Sequence, residues 1–395
     1  MSADEPLYAA RTAQDDLDIE EAPEGAVAHI AVNTGGRPYE VQLGDGVLDR
    51  VGETVRARTR ATAVALVTDE RVAELYAARA EASLAAAGIS VNVVAVPPGE
   101  ASKDWAVAGA VLEELAAARL DRTAAIVALG GGVVGDLAGF CAAVYLRGIP
   151  FVQVPTTLLA QVDSSVGGKT GVDLPQGKNL AGAFWQPAGV LADTTTFATL
   201  PDAEWRSGLA EVAKAAFLDS ERFVAALEAA VAGGAVPRDG ALTHAIVADS
   251  ILFKARIVAS DERESGEREV LNYGHTFGHA LEKVLGYGTI THGQAVAEGI
   301  RFAAALAEDV AGAPHAWTLR QARLLDALGL WAVGGRAAPV ELGLAMRSDK
   351  KVRGGEVRFV LSTGPGRWET RRVDEATISR HVAAWAAAAK GEEKR

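Results

Sequence analysis

The chain has 395 residues, with 39 Lys+Arg against 51 Asp+Glu and a formal net charge of −12. At roughly 150 residues per domain this suggests two or three domains, and the ordinary composition, 49% hydrophobic and 23% charged, excludes global disorder. The acidic balance argues against nucleic acid as the main partner, and no uncharged apolar run approaches the ~20 residues of a membrane helix. The N-terminus lacks a charged-then-apolar signal pattern. The single cysteine, Cys141, excludes an internal disulfide framework and suits a reducing compartment, so a cytoplasmic location is expected.

Residues 1–25 include QDDLDIEEAPE, have no apolar periodicity and read as a disordered acidic tail. Strand-like runs at 27–32 and 39–43 flank Gly35 and Gly36. Residues 47–58 have helical spacing, 63–67 form a buried strand ending in Thr68 and Asp69, and 70–87 form an Ala-rich helix. A strand at 91–96 leads through PPGEASK into a helix at 104–118. The strand at 124–129 runs into GGGVVGD and a helix to about 146, and 151–154 is again a strand. Strands alternating with helices predict an α/β domain over 26–198 with a mostly parallel, Rossmann-like sheet. After a last strand at 190–192, helical periodicity dominates: 202–218, 221–231, 242–260, 272–285, 293–308 and 319–328, with one late strand at 357–361. Residues 199–395 are therefore expected as an all-α domain, with the active site in the cleft between the two domains.

The chain uses 29 Arg but only 10 Lys, and only four Asn. Where any cation serves, this background supplies Arg, so the lysines are enriched for positions that need a compact ammonium. Lys390 and Lys394 lie in a charged tail and Lys283 on a polar helix face. Lys103, Lys169, Lys178, Lys214, Lys254, Lys350 and Lys351 are the candidates for function.

Gly130–Asp136, GGGVVGD, contains GxGxxG after a strand and before a helix, where backbone N–H groups can face a pyrophosphate. It lies on a later strand than the usual dinucleotide fingerprint, and no acidic residue follows about 20 positions on. Asp69, at the end of an earlier strand, is the better candidate for a ribose, with Gly99, Glu100 and Lys103 of PGEASK nearby in the same crevice. Gly167-Gly168-Lys169-Thr170 resembles the end of a P-loop, but Asp163 stands where the first glycine is required. The stretch 155–186 gathers Thr156, Thr157, Asp163, Ser164, Lys169, Lys178 and Asn179 among glycines. That mixture suits an anionic, polyhydroxylated ligand.

Glu211 and Lys214, at i and i+3, share one helix face, and His275 and His279, at i and i+4, share another. His292 opens a further helix. Glu plus two His with an open position is the make-up of a catalytic Zn²⁺ site. HTFGH is not HExxH, since Thr276 replaces the protease base. Lys254, Arg268 and Asn272 sit just upstream, and Lys350-Lys351 adds charge from a distant loop.

Together PGEASK, GGGVVGDLAGF, YLRG, VPTTLLAQVDSSVGGKTGVD, GKNLAGAFWQP, SGLAEVAK, LNYGHTFGHALE, HGQAVAEG and DKK resemble the 3-dehydroquinate synthase family of sugar-phosphate cyclases, over roughly residues 60–365. The resemblance implies conversion of 3-deoxy-D-arabino-heptulosonate 7-phosphate (DAHP) to 3-dehydroquinate and phosphate, the second step of the shikimate pathway. It implies transient NAD-dependent oxidation, phosphate elimination, reduction and an intramolecular aldol closure. By motif, Glu211, His275 and His292 are implied as ligands of a divalent metal, Zn²⁺ or Co²⁺. Asp69, Gly99, Glu100, Lys103, Gly132, Val133, Val134, Gly135, Asp136, Thr156, Thr157, Lys169, Lys178, Thr196 and Thr199 are implied as NAD contacts. Asp163, Lys169, Asn179, Lys214, Lys254, Arg268, Asn272, His279 and one of Lys350 and Lys351 are implied as substrate contacts, with Lys351 preferred. Arg147 in YLRG is implied to reach a neighbouring subunit's substrate, hence a homodimer. The departures are the acidic N-terminal extension, Ala215-Ala216 after Lys214, and Gln294 where Glu is common. Neighbouring readings are the amino analogue of this synthase and, from another enzyme class, a metal-dependent NAD polyol dehydrogenase, which would not need Lys169, Lys178, Lys254 and Arg268 for phosphate.

Overall fold

The computed structural model describes residues 8–9, 27–333, 337–347 and 357–392. The described residues form two compact units, one within Ile19–Pro201 and Arg238–Arg263, the other within Met1–Asp18, Asp202–Pro237 and Glu264–Arg395. The segment Arg238–Arg263 follows the boundary expected near 198, yet clusters with the sheet-bearing unit.

That unit is built on a seven-stranded sheet. With Tyr8–Ala9 as β1, its strands are β2 (Ala28–Val32), β3 (Tyr39–Gly44), β4 (Ala63–Asp69), β5 (Ser90–Val96), β6 (Ala125–Gly130), β7 (Phe151–Pro155) and β10 (Gly189–Asp193). The order is β2-β3-β10-β7-β6-β4-β5, parallel throughout except for β2 against β3. β6 and β7 are buried at every residue, as expected of strands covered on both faces. On one face Ile126 and Phe151 of the sheet pack with Val111 and Leu137 of the helices Trp105–Ala117 and Gly132–Val144. On the other, Leu66 and Val127 pack with Ala80 and Leu84 of Ala78–Ala86. The sheet continues from β4 to β5 on one side and from β4 to β6 on the other, which places the topological switch at the carboxyl ends of β4 and β6. Asp69 and the glycine turn stand at those two ends.

Two features of this unit were not anticipated. The helix after β4 carries a π-helical turn at Ala73–Ala77. The polar stretch after β7 is not simply a loop: it forms an antiparallel hairpin, β8 (Lys169–Leu174) and β9 (Gly177–Phe184). Gly171 and Gly182 face each other across it, and a Cβ on either would strike the opposite backbone at 2.8 and 2.3 Å. The glycines therefore serve strand-to-strand approach as well as ligand approach.

In the second unit the helices Asp202–Asp219, Glu221–Ala232, His275–Leu285, His292–Ala311 and His315–Ala327 follow the expected periodicity. The helical expectation holds for this unit, with a small β element added to it. The late strand is β11 (Val357–Gly364), paired with β12 (Arg367–Val373). Tyr8–Ala9, within the stretch expected as tail, pairs with β12. Phe359 and Leu361 of β11 pack with Phe277, Phe302 and Leu306, so the hairpin caps the helical core instead of standing apart. No helix among the described residues is long and apolar enough to cross a membrane.

Candidate active site

In the sheet-bearing unit the glycine turn opens the helix Gly132–Val144 with Gly131 at its N-cap and no side chain bonded to the first turn. The leading N–H groups of that helix are thus left for an outside acceptor, at the positive end of its dipole. The glycines are required by contact: a Cβ at Gly132 would lie 3.0 Å from Ser164 Oγ, and at Gly135 2.8 Å from Gln153 Oε1 on β7. This geometry suits a pyrophosphate. Val133 is half-buried and Val134 packs into the sheet core. Asp69 is an N-cap, its Oδ1 accepting from Val72 N at 3.0 Å. Lys103 is buried and paired with Asp136; burial alone would lower its pKa, but the carboxylate beside it raises it, so it is held charged. Gly99 has φ +100, and Glu100 pairs with Lys178 at 3.2 Å. Thr156 is buried after β7, beside half-buried Thr157. Thr196 and exposed Thr199 follow β10, where Tyr76 OH lies 2.5 Å from Thr199 Oγ1. Tyr76 sits on the π-helical turn, and the sequence reading missed it.

The anion candidates of the same unit fall on the hairpin and on Gly240–Ser260. Lys169 opens β8 and is exposed, while Lys178 and Asn179 lie on β9. Asn179 has φ +54, and its N–H donates to Asp173 Oδ1 at 2.7 Å. Lys254 Nζ lies 2.7 Å from Asp163 Oδ1 and 2.6 Å from its carbonyl oxygen. Arg147 is exposed, with φ +67, in the turn before Gly148. A Cβ at Gly148 would meet Trp185 at 2.5 Å.

In the helical unit Glu211, His275 and His292 present ligand atoms within 4.8 Å of one another, although 81 residues separate the first from the last. Close helix packing makes this possible. A Cβ at Gly293 would lie 2.4 Å from Ser207 Cα, at Gly278 2.8 Å from Ala295 O, and at Gly299 1.8 Å from Gly274 O. Gly293 N also donates to Ser207 Oγ at 2.9 Å. Bare backbone at these crossings draws Asp202–Asp219, His275–Leu285 and His292–Ala311 together until their polar side chains meet. Gln294 completes a capping box: its Oε1 accepts from Thr291 N at 3.0 Å and its N–H donates to Thr291 Oγ1 at 3.2 Å. Gln294 thus helps to start the helix that carries His292, a role in which Gln and Glu are equivalent.

Glu211 is 2% exposed, and neither of its oxygens accepts an aligned hydrogen bond among the described residues. Burial pushes its pKa up, but Lys214 at 2.5 Å from Oε2, with His275 and His292, outweighs that and holds it ionised. Lys214 is itself placed by a 2.8 Å bond from Nζ to Leu271 O. His275 Nδ1 lies 3.1 Å from Tyr273 O, which fixes the proton there and turns Nε2 toward Glu211 at 3.5 Å. Burial and Lys214 hold His275 neutral, well below the usual histidine range. Burial works against charge on His292 also, but Glu211 and Glu282 raise it to about 9. A buried, ionised carboxylate without aligned donors and two imidazoles around it form a donor set that fits a divalent ion.

Exposed His279 lies beside this group, its ring centroid 5.2 Å from that of His275. Arg268 is 1% exposed, and Asn272 Nδ2 donates to Glu264 Oε1 at 2.9 Å. Glu264, with φ +56, was missed; its signal was the charged loop DERESGER. Lys350 and Lys351 lie outside the described residues.

A nucleotide-type α/β unit on the same chain as a helical unit with a Glu-His-His cluster defines a class of dinucleotide- and metal-dependent enzymes. Residues 93–207 match the model of the 3-dehydroquinate synthase N-terminal family and 208–352 that of its C-terminal family. The 3-dehydroquinate synthase of Paracoccus denitrificans is 47% identical over 90% of this chain and 98% of its own length. That of Bordetella pertussis is 47% identical over 88% and 97%. A crystal structure of 2-deoxy-scyllo-inosose synthase complexed with carbaglucose-6-phosphate, NAD⁺ and Co²⁺ matches with a TM-score of 0.81 at 25% identity, covering 91% of this chain and all of that one. The 2-epi-5-epi-valiolone synthase of Streptomyces hygroscopicus, with NAD⁺ and Zn²⁺ bound, gives 0.79 at 25% identity over 89% and 97%. An iron-containing alcohol dehydrogenase, at 15% identity and TM-score 0.64, shares the fold alone. The chain belongs to the 3-dehydroquinate synthase family, whose members are carbon–oxygen lyases.

Proposed function

We propose that this chain converts DAHP to 3-dehydroquinate and phosphate as a cytoplasmic homodimer, using NAD and one divalent metal. The observation that carries this reading is the buried Glu211 carboxylate, held ionised and flanked by His275 and His292, in a chain of this family. When bound, NAD supplies a reversible hydride acceptor and Zn²⁺ or Co²⁺ a Lewis acid. The sheet unit is the NAD-binding one: the N–H groups before Val133 receive the pyrophosphate, and the Asp69 carboxylate takes ribose hydroxyls. Glu100, Lys103, Asp136, Thr156, Thr157, Lys178, Thr196 and Thr199 complete that surface. In the helical unit Glu211, His275 and His292 hold the ion.

Lys169, Lys254, Arg268 and Lys351 neutralise the phosphate and carboxylate of the substrate. Asp163, Asn179, Asn272 and His279 orient its hydroxyls, and Arg147 reaches the substrate of the neighbouring subunit. Lys254 is pre-positioned by its bonds to Asp163, so its ammonium is placed before substrate arrives. The net charge of −12 does not oppose an anionic substrate, because these local cations set the field that it meets.

The test is incubation with DAHP, NAD⁺ and Zn²⁺, following phosphate release, product mass and NADH absorbance. Many turnovers of phosphate per NAD, with no net NADH and a product of the mass of 3-dehydroquinate, are expected. NADH accumulating from a polyol, with no phosphate released from DAHP, overturns the reading in favour of a dehydrogenase.

A further inference from the structure

His292 stands between two carboxylates. Its Nε2 lies 3.5 Å from Glu211 Oε1, and its Nδ1 lies 3.5 Å from Glu282 Oε2. Two groups of residues could each hold an ion, Glu211–His275–His292 and His279–Glu282–His292, and they share this single ring. An ion takes the place of one of the two protons of a charged imidazole, and the other nitrogen keeps its proton. Which nitrogen of His292 is protonated therefore decides which group is the ion site.

The surroundings settle that choice. Glu211 has both oxygens buried without an aligned donor among the described residues, whereas His275 has already placed its proton on Tyr273 O and turned its lone pair the same way. Those two groups converge on the Nε2 side of His292. On the Nδ1 side, Glu282 is 4% exposed, and a buried carboxylate needs a proton donor. Glu282 also lies seven residues after His275 on the helix His275–Leu285, two turns along the same face.

We propose that Glu282 is a positioning residue. It accepts the Nδ1–H of His292, fixes the tautomer and the plane of the ring, and so leaves Nε2 as the third ligand beside Glu211 and His275. The arrangement is a carboxylate–histidine–metal relay, in which the outer carboxylate raises ligand basicity and removes ring rotation. It rests on the metal reading above.

The experiment titrates metal-free protein with Zn²⁺ and with Co²⁺ against a chromophoric chelator. It compares the original chain with Glu282→Leu, Glu282→Gln and Glu211→Ala, each checked for folding by circular dichroism. Glu282→Leu keeps the volume and removes the acceptor, so affinity falls about 10- to 100-fold. One ion per chain is retained, with a shifted visible Co²⁺ spectrum. Glu282→Gln keeps an acceptor oxygen and loses less, about severalfold; this partial rescue is not expected of a residue that merely fills space. Glu211→Ala loses the ion. Affinity and Co²⁺ spectrum unchanged in Glu282→Leu, with the ion lost in Glu211→Ala, overturn the proposal and leave the ligand set standing. An ion kept by Glu211→Ala and lost by Glu282→Leu overturns both, because the site is then His279–Glu282–His292. If Glu282→Leu does not fold, Glu282→Gln decides: a severalfold loss supports the positioning role and unchanged affinity overturns it.

Discussion

The glycine turn after β6 and the crossing of the two histidine helices both depend on glycine, but for opposite ends. At Gly131, Gly132 and Gly135 the missing side chains let the turn pack against Thr157, Ser164 and Gln153, and the first N–H groups of the helix carry no side-chain cap. At Gly274, Gly278, Gly293 and Gly299 the glycines touch no candidate ligand; they let helices approach until Glu211, His275 and His292 meet. The first is one contiguous turn whose offered groups are backbone N–H groups. The second is assembled from distant segments and depends on every functional side chain. Substitutions should therefore separate the two.

The largest effect is expected from His275→Ala. Removing one of three ligands should empty the metal site and lower turnover by about 10³-fold or more. NAD affinity, measured by fluorescence titration, should stay within about threefold of the original chain. A comparable loss of NAD binding would show that the two sites are not independent. The converse substitution is Gly132→Val, whose side chain would crowd Ser164 Oγ, only 3.0 Å from the Cβ position. NAD affinity should drop about tenfold or more while metal content is unchanged. Unaltered NAD affinity would remove the turn from the cofactor surface.

The smallest effect tests a contact that belongs to neither candidate site. Asp45 accepts from Thr194 Oγ1 and lies 2.9 Å from His244 Nε2 on the helix Gly240–Ser260. Burial would raise its pKa, but the Thr194 hydrogen bond and His244 outweigh that and lower it. A depressed folded-state value means that the stabilisation is complete above the unfolded value near 4 and is lost as pH falls through the folded one. Half the side chain is exposed, so Asp45→Asn should cost only about 0.5 kcal/mol at pH 7 after solvent screening. The difference should vanish in denaturant melts near pH 2. A gap that grew on acidification would invert the assignment.

The sheet could be read from the sequence because each strand announced itself within its own residues: AAIVAL and FVQVP are apolar without interruption, as strands buried on both faces must be. The hairpins could not. KTGVDL and GKNLAGAF are interrupted by glycine and charge and do not announce strands by themselves; cross-strand pairing makes them strands. β12, RWETRRV, reads as polar because one face carries arginines, and only its partner β11 reveals it. The candidate metal ligands Glu211, His275 and His292 stood out as residue types on three helical segments, and only the fold brings their ligand atoms within 4.8 Å; the scarcity of lysine singled out Lys214 and Lys254. Glu264 and Tyr76 were not legible, because what singles them out is a bond to a residue, Asn272 or Thr199, that lies at a turn rather than one helical repeat away.

The segment Arg238–Arg263 has a further consequence. The sheet-bearing unit is not finished when the chain first leaves it at Pro201; it waits for the helix that brings Lys254 to Asp163. A fragment stopped at residue 207, where the match to the N-terminal family ends, carries all seven strands but lacks that helix. It would lack the buried Ile246, Val247 and Ile251, and it would leave Asp163 without the Lys254 ammonium. On the ribosome, the sheet-bearing unit must wait for the helix Gly240–Ser260 while the first helices of the other unit are already being made. This order of synthesis favours making the protein as one uninterrupted chain and disfavours dividing it into two separately expressed halves.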